Sequence, residues 1–256
     1  MDSLEPKLLV EQRDDVLTLT FNTPDKANAL APDVVEHFIE VLDSAEGVRL
    51  AIIRGNGKHF CAGFDLSGLE DMSDGDLLWR FVRIEMLLQK VHKAPFPVVA
   101  LAQGQVVGAG ADLFAACWRR VATSSAKFRM PGWNFELALG TRRLAQLIGV
   151  EGARDMLIDT RGVPAEEAGT LGLVTDIAEP EDWPALTGRL ATRARSLPEF
   201  ATQEMFRLTS QDTDDLDLAA VVRTAGRPGL RDRILAYRRL MEARNKEKRA
   251  ASPARG

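Results

Sequence analysis

Two glycine-rich loops contain the residue types best suited to chemistry in this sequence. FCAGFDL, residues 60–66, follows the apolar segment AIIRG, and QGQVVGAGADL, residues 103–113, follows VVALA. Small residues let both backbones approach a ligand closely. The second loop leads into a predicted helix, whose first N–H groups point outward with partial positive charge. Together the loops could direct two backbone N–H groups at one developing oxyanion. Alternatively, both are ordinary strand-to-helix turns.

The histidines and cysteines do not predict a metal site. His37, His59 and His92 lie far apart along the chain, and only His59 has a cysteine nearby, Cys61. That pair supplies at most two ligands, whereas zinc needs three or four protein ligands. We therefore expect a loop histidine, a small buried cysteine and no metal.

The sequence also lacks the motifs of nucleophilic and nucleotide-binding sites. It contains no G-x-S-x-G elbow, and its S-x-x-K match at 124–127 lacks the S-D-N and K-T-G partner motifs. Gly108 and Gly110 would need a third glycine at 113 for a dinucleotide fingerprint, but that residue is Leu113. We predict no nucleotide cofactor.

The elements that would position the two loops alternate between strands and helices. In the first half of the chain, the patterns predict a hairpin of residues 8–10 and 16–21, a helix from Pro32, a buried strand at 48–54 and a helix at about 76–93. They next predict a buried strand within 95–104 that ends in a glycine-rich turn, a helix at about 109–118, and strands at 119–124 and 126–130. The rest of the chain is predicted to be mostly helical, with one strand at 173–178. This alternation favours an α/β fold with parallel pairing.

Composition excludes several classes of protein. Of 256 residues, 45% are hydrophobic and 27% charged, which excludes a disordered or collagen-like chain, and the net charge of −4 argues against a nucleic-acid grip. The N-terminus lacks a signal-peptide pattern, no apolar run is long enough to span a membrane, and cysteines are few. We expect a cytoplasmic protein without nucleic-acid or membrane partners.

No linker separates two folds. We expect one domain, with a core at 1–195 and a C-terminal helical segment at 196–256. Residues 231–256 contain nine Arg or Lys against three acids. A nucleic-acid arm is one interpretation. A solvated helix with an apolar stripe is the commoner one, and the stripe would consist of Ile234, Leu235, Tyr237, Leu240 and Met241.

Several blocks of the sequence resemble the crotonase superfamily, the enoyl-CoA hydratase/isomerase family. They are FNTPDKANAL, FCAGFDL, GQVVGAGADL, LGTRRLAQLIG and EEAGTLGLVTDI, which occur in the family's order over about residues 16–178. The resemblance implies a core of repeated ββα units arranged as a spiral, with appended C-terminal helices. Those helices would cover the acyl site and form the contacts of a homotrimer, or of a hexamer built from two trimers.

The resemblance also implies a site for an acyl-CoA thioester. The backbone N–H groups of Phe64 and Ala109 match the family's oxyanion hole. Asp112 matches the first of two glutamates that shuttle protons in the hydratases. The remaining implied substrate-binding positions are Lys26, Ala27, Ala29, Asp65, Leu66, Ser67, Gly108, Gly132 and Trp133. Coenzyme A is part of the substrate, so no separate cofactor is expected.

The second glutamate is missing from this sequence. Where the family has Pro-Glu, this chain has Pro131 followed by Gly132, and the next carboxylate is Glu136. A slightly shortened loop could bring Glu136 into the vacated space, so it is the second candidate acid/base residue. Structural alternatives are a carboxylate favoured by the helix dipole for Asp112 and a solvated loop residue for Glu136.

These features predict enolate stabilisation on an acyl-CoA thioester, with an enoyl-CoA hydratase or isomerase as the leading hypothesis. The missing glutamate leaves other reactions of the same enolate open, namely isomerisation with a single base, decarboxylation or thioester hydrolysis. A protein that binds acyl-CoA without turning it over is a further alternative.

Overall fold

The protein is described from a computed structural model that covers residues 5–251. The strands are β1 (Leu8–Arg13), β2 (Val16–Phe21), β3 (Leu50–Gly55), β4 (Val98–Ala102), β5 (Gln105–Val107), β6 (Arg119–Ala122), β7 (Lys127–Arg129), β8 (Val163–Pro164) and β9 (Asp176–Ile177). The helices are α1 (Pro32–Asp43), α2 (Asp74–His92), α3 (Ala109–Ala116), α4 (Thr141–Ile148), α5 (Val150–Asp159), α6 (Ala165–Leu171), α7 (Trp183–Ala194), α8 (Glu199–Thr209), α9 (Asp214–Ala225) and α10 (Leu230–Ala251). Short 3₁₀ helices lie at Pro24–Lys26, Leu69–Asp71, Gly132–Phe135 and Pro180–Asp182.

Six strands form the larger sheet, in the order β1-β2-β3-β4-β6-β9. The predicted hairpin is present, with β1 antiparallel to β2 and Arg13 opposite Val16. All other neighbours in this sheet are parallel. The two central strands, β3 and β4, are buried along almost their whole length. This burial explains their continuous apolar sequences. The predicted α/β fold with parallel pairing is confirmed.

A smaller sheet of β5, β7 and β8 lies beside the second glycine-rich loop. Residues 105–107 were expected to belong to a glycine-rich turn, and that prediction is wrong. They form a strand that is parallel to β7, with buried Val106 opposite buried Phe128. Three residues are too few to show an alternating pattern, so this strand depends on its partner rather than on a local signal.

Aromatic contacts link the elements that carry the two loops. The rings of Phe21 and Phe60 lie 6.1 Å apart, those of Phe60 and Phe114 6.1 Å, and those of Phe114 and Phe128 4.9 Å. All four side chains are at most 1% exposed. Burying a phenylalanine contributes about 1.5–3 kcal/mol, so this row joins β2, the first loop, α3 and β7 firmly.

The C-terminal helices pack on this core. α9 lies against α2, and α10 contacts both α2 and the Gly132–Phe135 turn. Ile234 of α10 is buried, Tyr237 is partly buried and Leu240 is 48% exposed. The predicted stripe thus covers the core with its first residues. Within residues 5–251, no helix combines the length and apolar composition that crossing a bilayer requires. Part of the basic segment, residues 252–256, lies outside the described residues.

Candidate active site

The two glycine-rich loops lie against each other at the ends of β3 and β5. The N–H of Val107 donates to the carbonyl of Cys61 at 3.0 Å, and that of Leu30 donates to the carbonyl of Gly63 at 2.7 Å. Gly63 has a φ of +86°, and a β-carbon there would lie 2.5 Å from the oxygen of Val107 and 3.1 Å from the nitrogen of Ala109. Only glycine permits this approach, which brings the Phe64 and Ala109 segments together.

The N–H groups of Phe64 and Ala109 remain available for a ligand. The neighbours of Phe64 make the backbone hydrogen bonds: the N–H of Leu30 donates to the carbonyl of Gly63, and the N–H of Asp65 donates to the carbonyl of Leu30. Ala109 is the first residue of α3, where an N–H has no partner within the helix. Within the part of the chain that the structure describes, neither group donates to another backbone oxygen. Such a pair is suited to stabilising an oxyanion.

The ring of Phe64 fixes the backbone of the first loop. The Phe64 ring stacks on the ring of Phe81, with the two ring centroids 4.4 Å apart. The guanidinium of Arg80 lies 3.9 Å from the centroid of the Phe64 ring, and both Arg80 and Phe81 belong to α2. The same guanidinium donates to the carbonyl of Asp65 at 2.8 Å. The side chain therefore holds its own N–H in a defined direction, and this support comes from a helix that the loop sequence does not reveal.

An apolar cavity of about 160 Å³ opens beside these two N–H groups. The predicted site residues Leu66, Gly108, Gly132 and Trp133 lie in its wall. The full lining consists of Ala62, Phe64, Leu66, Phe81, Val107, Gly108, Ala109, Asp112, Arg129, Met130, Pro131, Gly132, Trp133, Phe135, Leu137, Leu139, Leu157, Ile234 and Tyr237. The cavity suits a short acyl chain, with its thioester oxygen at the N–H pair.

Asp112 places a carboxyl group in this cavity. It is 4% exposed, and its Oδ1 is fully buried without a hydrogen-bond partner among the described residues. A β-carbon on Gly140 would collide with that oxygen, so this glycine makes room for it. Burial raises the pKa of Asp112 well above its ordinary value; the charge of Arg143 opposes the shift and that of Glu85 adds to it. The group is suited to proton transfer.

A buried ion cluster lies close to Asp112 and adds to the rise of its pKa through Glu85. Arg143 forms an ion pair with Glu85, both almost fully buried, and its Nη2 lies 3.8 Å from Asp217. Burial raises the pKa of Glu85, against the opposing charge of Arg143. Arg143 thus faces two carboxyl groups, one of which, Asp217, also pairs with Arg142 at 3.3 Å. A further negative charge at Asp112 would therefore have little positive charge left to compensate it.

The structure does not bring Glu136 into the cavity. Its carboxylate forms an ion pair with Arg227 at 2.5 Å and lies 3.8 Å from Arg233. The side chain is 47% exposed. Its φ of +61° closes the Gly132–Phe135 turn and directs the chain away. Gly132 lies in the wall of the cavity, where Asp112 is the one carboxyl group among the residues that the structure describes.

Of the segment expected to contact coenzyme A, Leu66 lies in the cavity wall. The other predicted residues are not among the described lining of the cavity; they are Lys26, Ala27, Ala29, Asp65 and Ser67. Lys26 donates to the hydroxyl of Ser67 at 3.2 Å, and Ser67 donates to Asp65 through its N–H and hydroxyl. Burial would raise the pKa of Asp65, but the Ser67 hydrogen bonds and the charges of Lys26 and Arg80 outweigh it and lower the pKa. These polar groups lie together beside the apolar wall.

Backbone geometry fixes the DKANAL part of this segment. Ala27 has a φ of +50°, and its carbonyl accepts from the N–H of Ala62 at 2.9 Å. The carbonyl of Ala29 accepts from the N–H of Ala31 at 3.0 Å. Between them, the buried Asn28 amide donates to the carbonyls of Asn56 and His59. The segment is thus anchored to the first glycine-rich loop.

Neither cysteine is suited to nucleophilic chemistry. Cys61 and Cys117 are both buried, and burial raises the pKa of each thiol to about 12. They remain protonated thiols at neutral pH. No cluster of three or more His, Cys, Asp or Glu side chains placed to bind a metal occurs among residues 5–251.

Besides Arg80 and Phe81, four further residues of this site were not predicted from the sequence. Glu85 and Arg143 come from helices far apart in the chain, and Gly140 is defined by its contact with Asp112 rather than by a turn signal. Arg129, which lies in the cavity wall, belongs to the FRMPGWNF block. Its charge inside an otherwise apolar block was the one signal that could have identified it.

Comparison with known proteins identifies the family. The sequence model described as enoyl-CoA hydratase/isomerase matches residues 11–219. The chain therefore belongs to the enoyl-CoA hydratase/isomerase family, its architecture is the crotonase fold, and the predicted resemblance is confirmed.

Three similar proteins illustrate the range of the family. A crystal structure of an enoyl-CoA hydratase/isomerase family protein from Bordetella parapertussis is 44% identical, with a TM-score of 0.89 over 90% of this chain and 98% of that one. The trans-2-decenoyl-[acyl-carrier-protein] isomerase of Streptococcus mutans is 30% identical over 83% of this chain and 87% of its own length. The crotonyl-CoA hydratase of Syntrophomonas wolfei is 27% identical over 77% and 78%.

Proposed function

We propose that this protein is an enzyme that forms and stabilises the enolate of an acyl-CoA thioester. One observation carries the proposal: the N–H groups of Phe64 and Ala109 lie together, free of backbone partners within the described chain, at the wall of an apolar cavity. The thioester oxygen would accept from both groups, and negative charge would develop on it as the α-proton leaves. Removing one such donor typically costs about 10²–10³ in kcat.

The polar segment beside the cavity would take the nucleotide end of the substrate. Lys26 is half-exposed, so its ammonium, which donates to Ser67, would contact a phosphate with its remaining N–H groups. Ser67 and Asp65 supply further polar groups next to it. Coenzyme A would then approach from this side, with the acyl chain directed toward Trp133 and α10.

Asp112 would carry out proton transfer by itself. It is the single carboxyl group among the described residues of the cavity wall. Its carboxylate would take the α-proton of a 3-enoyl thioester, giving a dienolate, and the resulting acid would return that proton to the γ-carbon. The double bond moves to the 2-position and the enzyme regains its initial state. A raised pKa makes the carboxylate a stronger base for this step.

Isomerisation therefore fits the site better than hydration. Hydration in this family uses two carboxylates to hold and split a water molecule, whereas Gly132 occupies the second position and Glu136 is paired with Arg227. The isomerase name of the Streptococcus mutans relative accords with this choice.

The proposal is tested by product analysis with 2-enoyl- and 3-enoyl-CoA thioesters of graded chain length. We expect 3-enoyl thioesters to be converted to 2-enoyl thioesters, with little 3-hydroxyacyl product. Asp112→Asn should lower the rate by about 10²–10⁴-fold while retaining binding of saturated acyl-CoA in calorimetry. Binding without turnover of any thioester would indicate the non-catalytic alternative. An efficient 2-enoyl hydration reaction would contradict the single-base mechanism.

A further inference from the structure

Arg129 is a charged residue next to the oxyanion loop that the proposed chemistry does not use. It ends β7 opposite Val107, and its carbonyl accepts from the N–H of Gly108 at 2.8 Å. Its side chain lies in the wall of the acyl cavity, on the side formed by α10. Among the described residues of that wall it is the one cation.

The guanidinium of Arg129 has no anionic partner among residues 5–251. Its Nη1 lies 3.5 Å from the sulfur of Met241, and its buried Nε has no hydrogen-bond partner there. By contrast, the buried Arg120 donates to the carbonyls of Leu173 and Cys117, both at 2.8 Å. A partly buried cation without such partners is costly, so Arg129 is poised to take an anion.

The surroundings of Arg129 favour binding of a carboxylate that belongs to a ligand in the acyl cavity. Tyr237, in the same wall, has no hydrogen bond from its hydroxyl to the described chain and could donate a second one. A second cavity of about 330 Å³ lies on the other side of Arg129. Asp159 lines that cavity, but it lies near Arg161, at 3.8 Å.

We propose that Arg129 binds a second carboxylate at the far end of the acyl chain, so that the substrates are CoA thioesters of short dicarboxylic acids. This inference rests on the proposed function, because it assumes that the acyl chain enters this cavity. A guanidinium binds a carboxylate through two parallel hydrogen bonds. Arg129, Phe64 and Ala109 all lie in the wall of one cavity of about 160 Å³, so a short acyl chain would extend from the oxyanion hole toward Arg129. A monocarboxylic chain would leave the guanidinium unpaired.

The test is calorimetric binding of three saturated thioesters: glutaryl-CoA, its terminal methyl ester and pentanoyl-CoA. We expect glutaryl-CoA to bind the wild type more tightly than the other two by about 10- to 100-fold, the range for hydrogen bonds between charged groups. Arg129→Met should abolish this preference and leave pentanoyl-CoA binding within a few-fold. Arg129→Lys should restore part of it.

Lys127→Met is the matched control, since it removes the same charge from the exposed start of β7. It should keep the preference for glutaryl-CoA. Equal binding of all three thioesters to the wild type would overturn the assignment of Arg129 while leaving acyl-CoA binding intact. An equal loss of all three in Arg129→Met, with Arg129→Lys no better, would show a structural role and also overturn it. If no acyl-CoA bound the wild type, the proposed function itself would fail.

Discussion

At the scale of single residues, the chemistry of this site depends on a carboxyl group whose pKa the fold raises. Asp112 is buried beside an ion cluster in which Arg143 already faces Glu85 and Asp217. Charging Asp112 therefore requires a large desolvation cost with little compensation. The resulting loss in the free energy of unfolding is the expected consequence of placing a proton-transfer group in an apolar cavity.

The raised pKa of Asp112 predicts how stability changes with pH. Below the unfolded-state pKa of about 4, the group is protonated in both states and has no effect. As pH rises above that value, the unfolded chain releases the proton while the folded chain keeps it, so the wild type loses stability. Asp112→Asn removes this loss. We expect the melting temperature of Asp112→Asn relative to the wild type to rise as the pH increases above about 4 and to level off once Asp112 also ionises in the folded protein.

Asp155→Asn provides the control, since Asp155 is exposed in the middle of α5. Its melting temperature relative to the wild type should stay nearly constant over the same pH range. A constant difference for Asp112→Asn as well would mean that folding does not raise the pKa of Asp112.

At the scale of elements, close contact between the two glycine-rich loops decides whether the N–H pair forms. Gly110 in α3 packs against the first loop, where a β-carbon would collide with the carbonyl of Cys61 and lie 2.9 Å from its sulfur. In an ordinary helix interior, glycine to alanine stabilises by about 0.5–1 kcal/mol. We expect Gly110→Ala instead to lower the free energy of unfolding by about 1–3 kcal/mol, the cost of overpacking, and to reduce activity.

Gly169→Ala in α6 is the matched substitution, because a β-carbon there would meet nothing within 4 Å. It should raise the free energy of unfolding by about 0.4–1 kcal/mol. Denaturant titration of both variants measures whether each substitution raises or lowers the free energy of unfolding. If Gly110→Ala were as stable as Gly169→Ala, the loops would not be in the contact that the oxyanion hole requires.

The sequence predicted most of the elements that have a local pattern, and few of the contacts between residues far apart along the chain. Hydrophobic patterns predicted the hairpin and the buried strands, and the family blocks predicted Phe64, Ala109 and Asp112. The Glu136 side chain could not be placed, because its partner Arg227 lies 91 residues further along the chain. The pair of Glu85 and Arg143 spans 58 residues and leaves no local pattern.

At the scale of the whole molecule, several large apolar side chains are exposed and are candidates for contacts between copies of the chain. Ile158 on α5, and Phe200 and Leu208 on α8, are each more than 70% exposed. Large side chains of this kind commonly mark contact surfaces, and closed symmetry is usual for soluble oligomers. We predict a homotrimer or a hexamer. Multi-angle light scattering should give a mass corresponding to three or six chains of 28.1 kDa, and a stable monomer at micromolar concentration would contradict this.

We propose that the protein generates an enolate whichever overall reaction it catalyses. Exchange of the α-protons of a saturated thioester in D₂O measures this step directly. Pentanoyl-CoA and glutaryl-CoA should lose their α-proton NMR signals with the wild type. Ala109→Pro, which deletes one N–H at a helix position that tolerates proline, should be slower by about 10²–10³-fold. Ala109→Ser keeps the N–H and should retain exchange. Bound thioesters whose α-protons exchange no faster than in buffer would contradict the claim.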